Sequence, residues 1–146
     1  MINDANNLKP TLSSLPLQIL IHFNWHYGII LFVLYICLFT YKAVRYYYPG
    51  NILGWDFVTV FCYAMVESSR LFLATKGNKT SQLGPLTASM LLSLPIIVLH
   101  AYYMELQLYV LRAEVVLNAI AIFFVGVEFI VSFFVVFSFL AASRKF

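Results

Sequence analysis

Glu67, His100 and Glu128 each sit inside an apolar run of this chain, and Arg70 follows three residues after the first. Within a bilayer an ionisable side chain is costly and by default marks an ion or proton path. Catalysis asks for more. The two carboxylates fall at different depths, so they form no acid–base pair of the kind hydrolysis needs. No HExxH, GxSxG, Cys/His cluster or glycine-rich phosphate loop occurs. No inverted repeat or interrupted helix pair suggests a transporter. His22 and His26 have the i,i+4 spacing of a metal pair, but no third ligand accompanies them. Their setting, "HFNWHYG" at 22–28, is that of an aromatic membrane-surface anchor. Cys37 and Cys62 match no zinc or redox spacing and read as small packed hydrophobes. The residues therefore favour interhelical clamps. No catalytic residue, cofactor, metal or small-molecule substrate is expected. The alternative is a small proton- or cation-conducting channel or carrier that uses Glu128 and His100.

The elements that must position these residues follow from composition. Of 146 residues, 62% are hydrophobic and 10% charged, with a mean hydropathy of +0.87. A water-soluble domain carries about 25% charged residues. The bilayer is this chain's solvent. A formal charge of +3, scattered along the chain, excludes nucleic acid as a partner. A membrane-crossing helix needs about 20 mostly apolar residues. Four segments qualify, at about 15–41, 52–73, 86–109 and 115–140. The expected fold is all-α and integral to the membrane: one four-transmembrane-helix bundle over 1–146, with short tails at 1–14 and 141–146. The N-terminal stretch "MINDANNLKPTLSSLP" lacks signal-peptide features, and no lipidation motif is present. Pro49 and Gly50 separate spans one and two, Pro85 suits the first turn of span three, and Pro95 should kink it. The short "VLRAE" link makes spans three and four antiparallel neighbours. Lys9, Lys76, Lys79, Arg144 and Lys145 lie on one side, and only Lys42, Arg45 and Arg112 on the other. The positive-inside rule then places both termini in the cytosol. Asn78-Lys79-Thr80 is a glycosylation sequon, but on the cytosolic side it should stay unmodified.

At 100° per residue the polar positions gather into stripes. Asp56, Thr59, Tyr63, Glu67 and Arg70 fall within about 80° on span two. Ser89, Ser93, His100 and Gln107 fall within about 40° on span three. Asn118, Glu128 and Ser132 fall within about 80° on span four, with Ala121 beside them. Lipid cannot satisfy such groups, so spans two to four should share an interior seam. Span one, with "GIILFVLYICLF", should be the most lipid-exposed. By depth, Arg70 should snorkel to the cytosolic interface and neutralise Glu67 one turn above. His100 and Glu128 should meet near the midplane, and Arg112 should reach Glu105 at the outer interface.

Two stretches carry a resemblance. "ESSRLFLATKGN" (67–78) and "YVLRAEVVLNAIAIFFVGVE" (109–128), with "LP-x-x-I-L" (15–20) and "Y-K" (41–42), resemble the four-span membrane proteins of the ciliary transition zone. That family is linked to Meckel and Joubert syndromes, and the similarity runs from about 12 to 140. The resemblance implies a non-enzymatic part of the tectonic-like complex at the base of the cilium. There it would support ciliogenesis and the membrane diffusion barrier, in company with tectonics, meckelin, B9-domain proteins and related four-span proteins. By motif position it points to Glu67, Arg70, Lys76, Gly77, Asn78, Arg112, Glu114, Asn118, Gly126 and Glu128. With His100 from the polar stripe, these are the expected assembly residues. Asn78 should end the second helix and shape the loop after it. Lys79 and Thr80 fall outside the motif, and the "RYYYPG" turn and basic "SRKF" end depart from the family.

Overall fold

A computed structural model describes residues 14–145; the tail 1–13 with Lys9, the side chain of Lys145, and Phe146 lie outside it. Four helices account for almost all of these residues. They are α1 (Leu15–Arg45), α2 (Ile52–Lys79), α3 (Leu83–Ala101) and α4 (Arg112–Lys145). A π-helical turn, Tyr102–Leu106, continues α3. Each of the four helical runs is long and apolar enough to cross a membrane.

The breaks have local causes. Pro16 occupies the first turn of α1, where its missing N–H costs nothing. Beyond Tyr46 the chain turns through Pro49 and Gly50, and Gly50 adopts φ +63°, a left-handed conformation that glycine reaches without strain. Three residues, 80–82, join α2 to α3, with Ser81 at φ 53°. Before α4, Glu114 reaches back one turn to accept the Leu111 N–H at 2.9 Å. That is half of a capping box.

The helices outrun the spans read from hydropathy. α2 passes 73 to reach Lys79, and α4 passes 140 to reach Lys145, so 141–145 is helix and not a tail. α3 starts at Leu83 and its π turn ends at Leu106, before 109. Polar residues such as Thr75 and Lys76 end a hydropathy window but do not break a helix. Helices of 28 to 34 residues measure about 42–51 Å, against about 30 Å of hydrocarbon. Their ends stand in the headgroup zones or beyond.

The four helices form a closed ring in chain order, with α1 beside α2 and α4, and α3 beside α2 and α4. The diagonals are α1/α3 and α2/α4. The interior is layered. At one end Leu17, Ile21, Leu71, Ala74, Leu86, Val135 and Phe139 make an apolar layer. Above it Asn24, Glu67, Arg70, Ser89, Ser93, Glu128 and Ser132, from all four helices, are buried together in the sequence interval between the two apolar layers. Leu31, Tyr35, Phe39, Val60, Tyr63, Ile96, Tyr103, Ala121 and Val125 form the second, aromatic-rich apolar layer. Lys42, Asp56, Gln107 and Glu114 close the far end. α1 does have the smallest buried share of the four. It nevertheless places Asn24, Tyr35 and Lys42 inside, so the polar seam belongs to four helices and not to three.

Apolar surface faces outward as well as inward, because the surroundings are lipid. Cys37 and Cys62 are exposed on the outer helix faces. The expectation that they pack inside is corrected: a small hydrophobe in a membrane protein has two apolar phases to choose from.

Candidate functional site: two buried charge clusters

Arg70 is the centre of the first cluster. It is 2% exposed and lies nine residues before the end of α2, not three, so its guanidinium does not snorkel. It instead forks onto Glu67, with Nε donating to Oε2 at 2.8 Å and Nη2 to Oε1 at 2.7 Å. The expected i,i+3 pair therefore forms. Its remaining arm, Nη1, donates to Glu128 Oε2 at 2.8 Å, so the two carboxylates meet at one level, which corrects the expectation that they lie at different depths. That third bond crosses the bundle from α2 to α4, two helices whose backbones are not neighbours. Only a long, planar, many-donor side chain spans such a diagonal. Asn24 on α1 completes the cluster, donating from Nδ2 to Glu67 Oε1 at 3.3 Å.

Lys42 is the centre of the second. As one of the three basic residues on the non-terminal side it reads as a topology signal, yet it is fully buried. Its ammonium has three N–H donors and three acceptors surround it. Glu114 Oε1 is 2.7 Å away, Gln107 Oε1 3.2 Å and the Tyr109 carbonyl 3.0 Å. The Phe39 ring lies 4.7 Å from the same nitrogen. This cluster ties the end of α1 to the start of α4. Nearby, Tyr102 donates its hydroxyl to Asp56 Oδ1 at 2.8 Å. In the connecting segment, burial together with the Asp56 and Glu114 carboxylates pushes the Tyr48 phenol up to about 12. Tyr46 stacks on Tyr109 with ring centres 4.9 Å apart and Tyr48 meets the same ring edge-on at 5.2 Å, an aromatic belt at that end.

Asn118 joins the aromatic layer to this cluster. Its Nδ2 donates to the Glu114 carbonyl at 2.7 Å, which fixes the amide so that Oδ1 faces inward. That oxygen accepts from the Tyr35 hydroxyl and from His100 Nδ1–H at 2.7 Å. The expected His100–Glu128 pair is thus corrected: His100 bonds Asn118 and Glu128 bonds Arg70. The reason is axial register. On antiparallel neighbours a midpoint reckoning is displaced by any change in where the helices end, and here α3 with its π turn runs from 83 to 106 and not from 86 to 109, which moves its midpoint away from His100 while that of α4 stays at Glu128. Glu105 and Arg112 are both exposed, and no ion pair joins them among the described residues.

The remaining expected residues divide. A Cβ on Gly77 would lie 2.6 Å from Leu86 N and 2.8 Å from Leu86 Cβ, so α2 and α3 touch there only because the side chain is missing. Asn78 does not shape an open loop. It sits inside the last turn of α2, 1% exposed. Its Oδ1 accepts the Ser14 N–H and its Nδ2 donates to the Ser14 carbonyl, both at 2.8 Å. Asn78 is the clamp that holds the start of α1. Lys76 is exposed, and Gly126 has open space where a side chain would go. His22 and His26 are exposed with ring centres 4.5 Å apart; among the described residues no third metal-binding side chain joins them.

Comparison with known proteins places the chain. A family model described as "Predicted membrane protein" matches residues 19–125. Transmembrane protein 216 of Danio rerio is 41% identical over 126 residues, covering 86% of this chain and 79% of that protein. Its namesake in Homo sapiens is 42% identical over 117 residues, covering 80% and 81%. The one in Rattus norvegicus is 38% identical over 133 residues, covering 91% and 94%. No solved structure matches.

Proposed function

The chain belongs to the Transmembrane protein 216 family, and from that premise we propose that it is a non-enzymatic structural subunit of the ciliary transition-zone membrane. In this reading both termini are cytosolic, and the protein works within the tectonic-like, Meckel-syndrome complex at the cilium base. Its partners are tectonics, meckelin, B9-domain proteins and other four-span proteins. Its contribution is to ciliogenesis and to the barrier that limits exchange of membrane proteins.

One observation carries the structural part of this reading. The buried cations are used to hold helices to one another: Arg70 joins α2 to α4 and Lys42 joins α1 to α4. Such pairs fix register and geometry, the best-attested use of buried charge. A rigid bundle with a defined outer face is what an assembly subunit presents to its neighbours.

The test is co-purification and localisation in ciliated cells. Arg70→Leu and Glu128→Leu should each mislocalise the protein or release transition-zone membrane partners. Normal localisation and normal partners in both variants would overturn the proposal. Proteoliposomes holding this protein alone should show no ion flux across a range of pH. A flux reduced by Glu128→Gln would favour a conducting role instead.

A further inference from the structure

Glu128 has an oxygen left over. Its Oε2 takes the Arg70 bond, while Oε1 is buried and meets no donor among the described residues. A buried polar atom normally finds a partner, and a buried charge costs far more to leave without one. The charge count of the layer makes the same point. Two carboxylates share one guanidinium, so with both ionised a negative charge is left unbalanced. The other buried polar residues of the layer, Asn24, Ser89, Ser93 and Ser132, are neutral. His100 lies seven residues beyond Ser93, about 10 Å along α3. Its Nδ1 is committed to Asn118 and its Nε2 meets no acceptor, so it supplies no counter-charge.

Two contacts set the register of the helices around this oxygen. Antiparallel α2 and α3 touch at Gly77 and Leu86. Seven residues along each helix from that contact, Arg70 and Ser93 are level. Antiparallel α3 and α4 are joined by His100 and Asn118. Ten residues along each from that bond, Glu128 is level with Met90, in the turn that carries Ser89 and Ser93. Both serines are buried, and their hydroxyl hydrogens are already used. Ser89 donates to the Leu86 carbonyl at 2.7 Å and Ser93 to the Ser89 carbonyl at 3.1 Å. What these two hydroxyls have left to offer is lone pairs.

A carboxylate oxygen and two hydroxyl oxygens, all acting as acceptors at one level, call for a positive charge. Water brings hydrogens but no charge. A proton on Oε1 makes one donor, enough for one hydroxyl oxygen, whereas a cation is shared by all. Carboxylate and hydroxyl oxygens are hard ligands, which sets aside the softer transition metals. One unbalanced negative charge matches a monovalent ion, and a divalent one would overshoot it. So few oxygens suit sodium better than the larger potassium. We propose that Glu128 Oε1 and the Ser89 and Ser93 hydroxyls, with Ser132 one turn further along α4, form a site for a sodium ion. The apolar layers on either side close it, so the site holds an ion and does not pass one across the membrane.

The inference needs only the helical bundle, so it stands or falls apart from the ciliary reading. The test is thermal unfolding of the full chain in detergent, with sodium chloride exchanged for choline chloride at constant ionic strength. Unfolding releases the ion, so the midpoint should climb with the logarithm of sodium concentration. The folded-to-unfolded ratio should gain about tenfold for each tenfold rise in sodium above the dissociation constant. Glu128→Gln keeps the shape of the side chain and removes its charge, and should abolish the sodium dependence. Ser89→Ala with Ser93→Ala leaves both ion pairs in place. That variant should need about tenfold more sodium for the same rise, the worth of one bond to a charged group, with its midpoint in choline little changed. Equal midpoints in sodium and choline would overturn the proposal. So would a rise as large in potassium, a sodium response that survives Glu128→Gln, or a dependence on pH alone, which would put a proton on Glu128.

Discussion

Arg70 shows how a buried charge behaves when its surroundings are lipid. Removing one member of a buried pair costs about 3–5 kcal/mol, because the partner stays buried without its counter-charge. Arg70→Leu strands two carboxylates at once. In detergent it should lower the free energy of unfolding, read from denaturant titration, by at least that margin, and Glu67→Gln with Glu128→Gln should recover most of the loss in the same background. Failure of the double replacement to rescue would mean that the guanidinium is needed for shape and not for charge. Asn78 supports a second expectation. An asparagine 1% exposed and bonded through both amide atoms to Ser14 is closed to a glycosylating enzyme. Glycosidase treatment of the protein from cells should cause no shift in mass. Asn78→Ala should instead free the start of α1, read as faster hydrogen exchange over residues 14–20. The i,i+3 pair of Glu67 and Arg70 is legible from spacing alone, since both ends lie on one helix. The partner of Lys42 is not, because Glu114 is brought to it by the far end of another helix.

At the scale of the helix, the two glycines of the family motif make opposite demands. Gly77 lies where α2 and α3 touch, and Gly77→Ala must push Leu86 away; overpacking of this kind costs about 1–3 kcal/mol. Gly126 faces open space, and alanine there gains about 0.8–1 kcal/mol of helix propensity. Thermal melts in detergent should therefore move in opposite directions for the two variants. A fall at Gly126→Ala would point to an external contact on that face of α4. Periodicity made the inward faces legible: Asp56, Tyr63, Glu67 and Arg70 from one stripe, and Ser89, Ser93, His100 and Gln107 from another, are all buried. Which residue meets which was not legible, because that depends on how far each helix slides along its neighbour. His100 is paired with Asn118 and not Glu128 for that reason. The inward role of α1 was hidden for another: Asn24, Tyr35 and Lys42 are too far apart in sequence to stand out in a run of apolar residues.

For the whole molecule, four long apolar segments and few charges were enough to read an all-α bundle in a membrane. The closed ring, its alternating polar and apolar layers and the bridge across its diagonal required coordinates, since hydropathy ranks segments and does not arrange them. The two clusters also bear on how the protein is made. Lys42 and Arg70 lie on the first two helices, while Glu114 and Glu128 lie on the last. A nascent chain must hold Lys42 in the membrane or beside the insertion machinery until 72 further residues have been synthesised, the separation from Lys42 to Glu114. Neither lipid tails nor Gln107 and the Tyr109 carbonyl offer that ammonium a counter-charge, so an incomplete chain carries a mark of its own incompleteness. A chain stopped before Arg112 should be retained and degraded soon after synthesis, read by pulse-chase, while Lys42→Leu in the same truncation should lengthen its life. The last helix acts as the signature that releases the first.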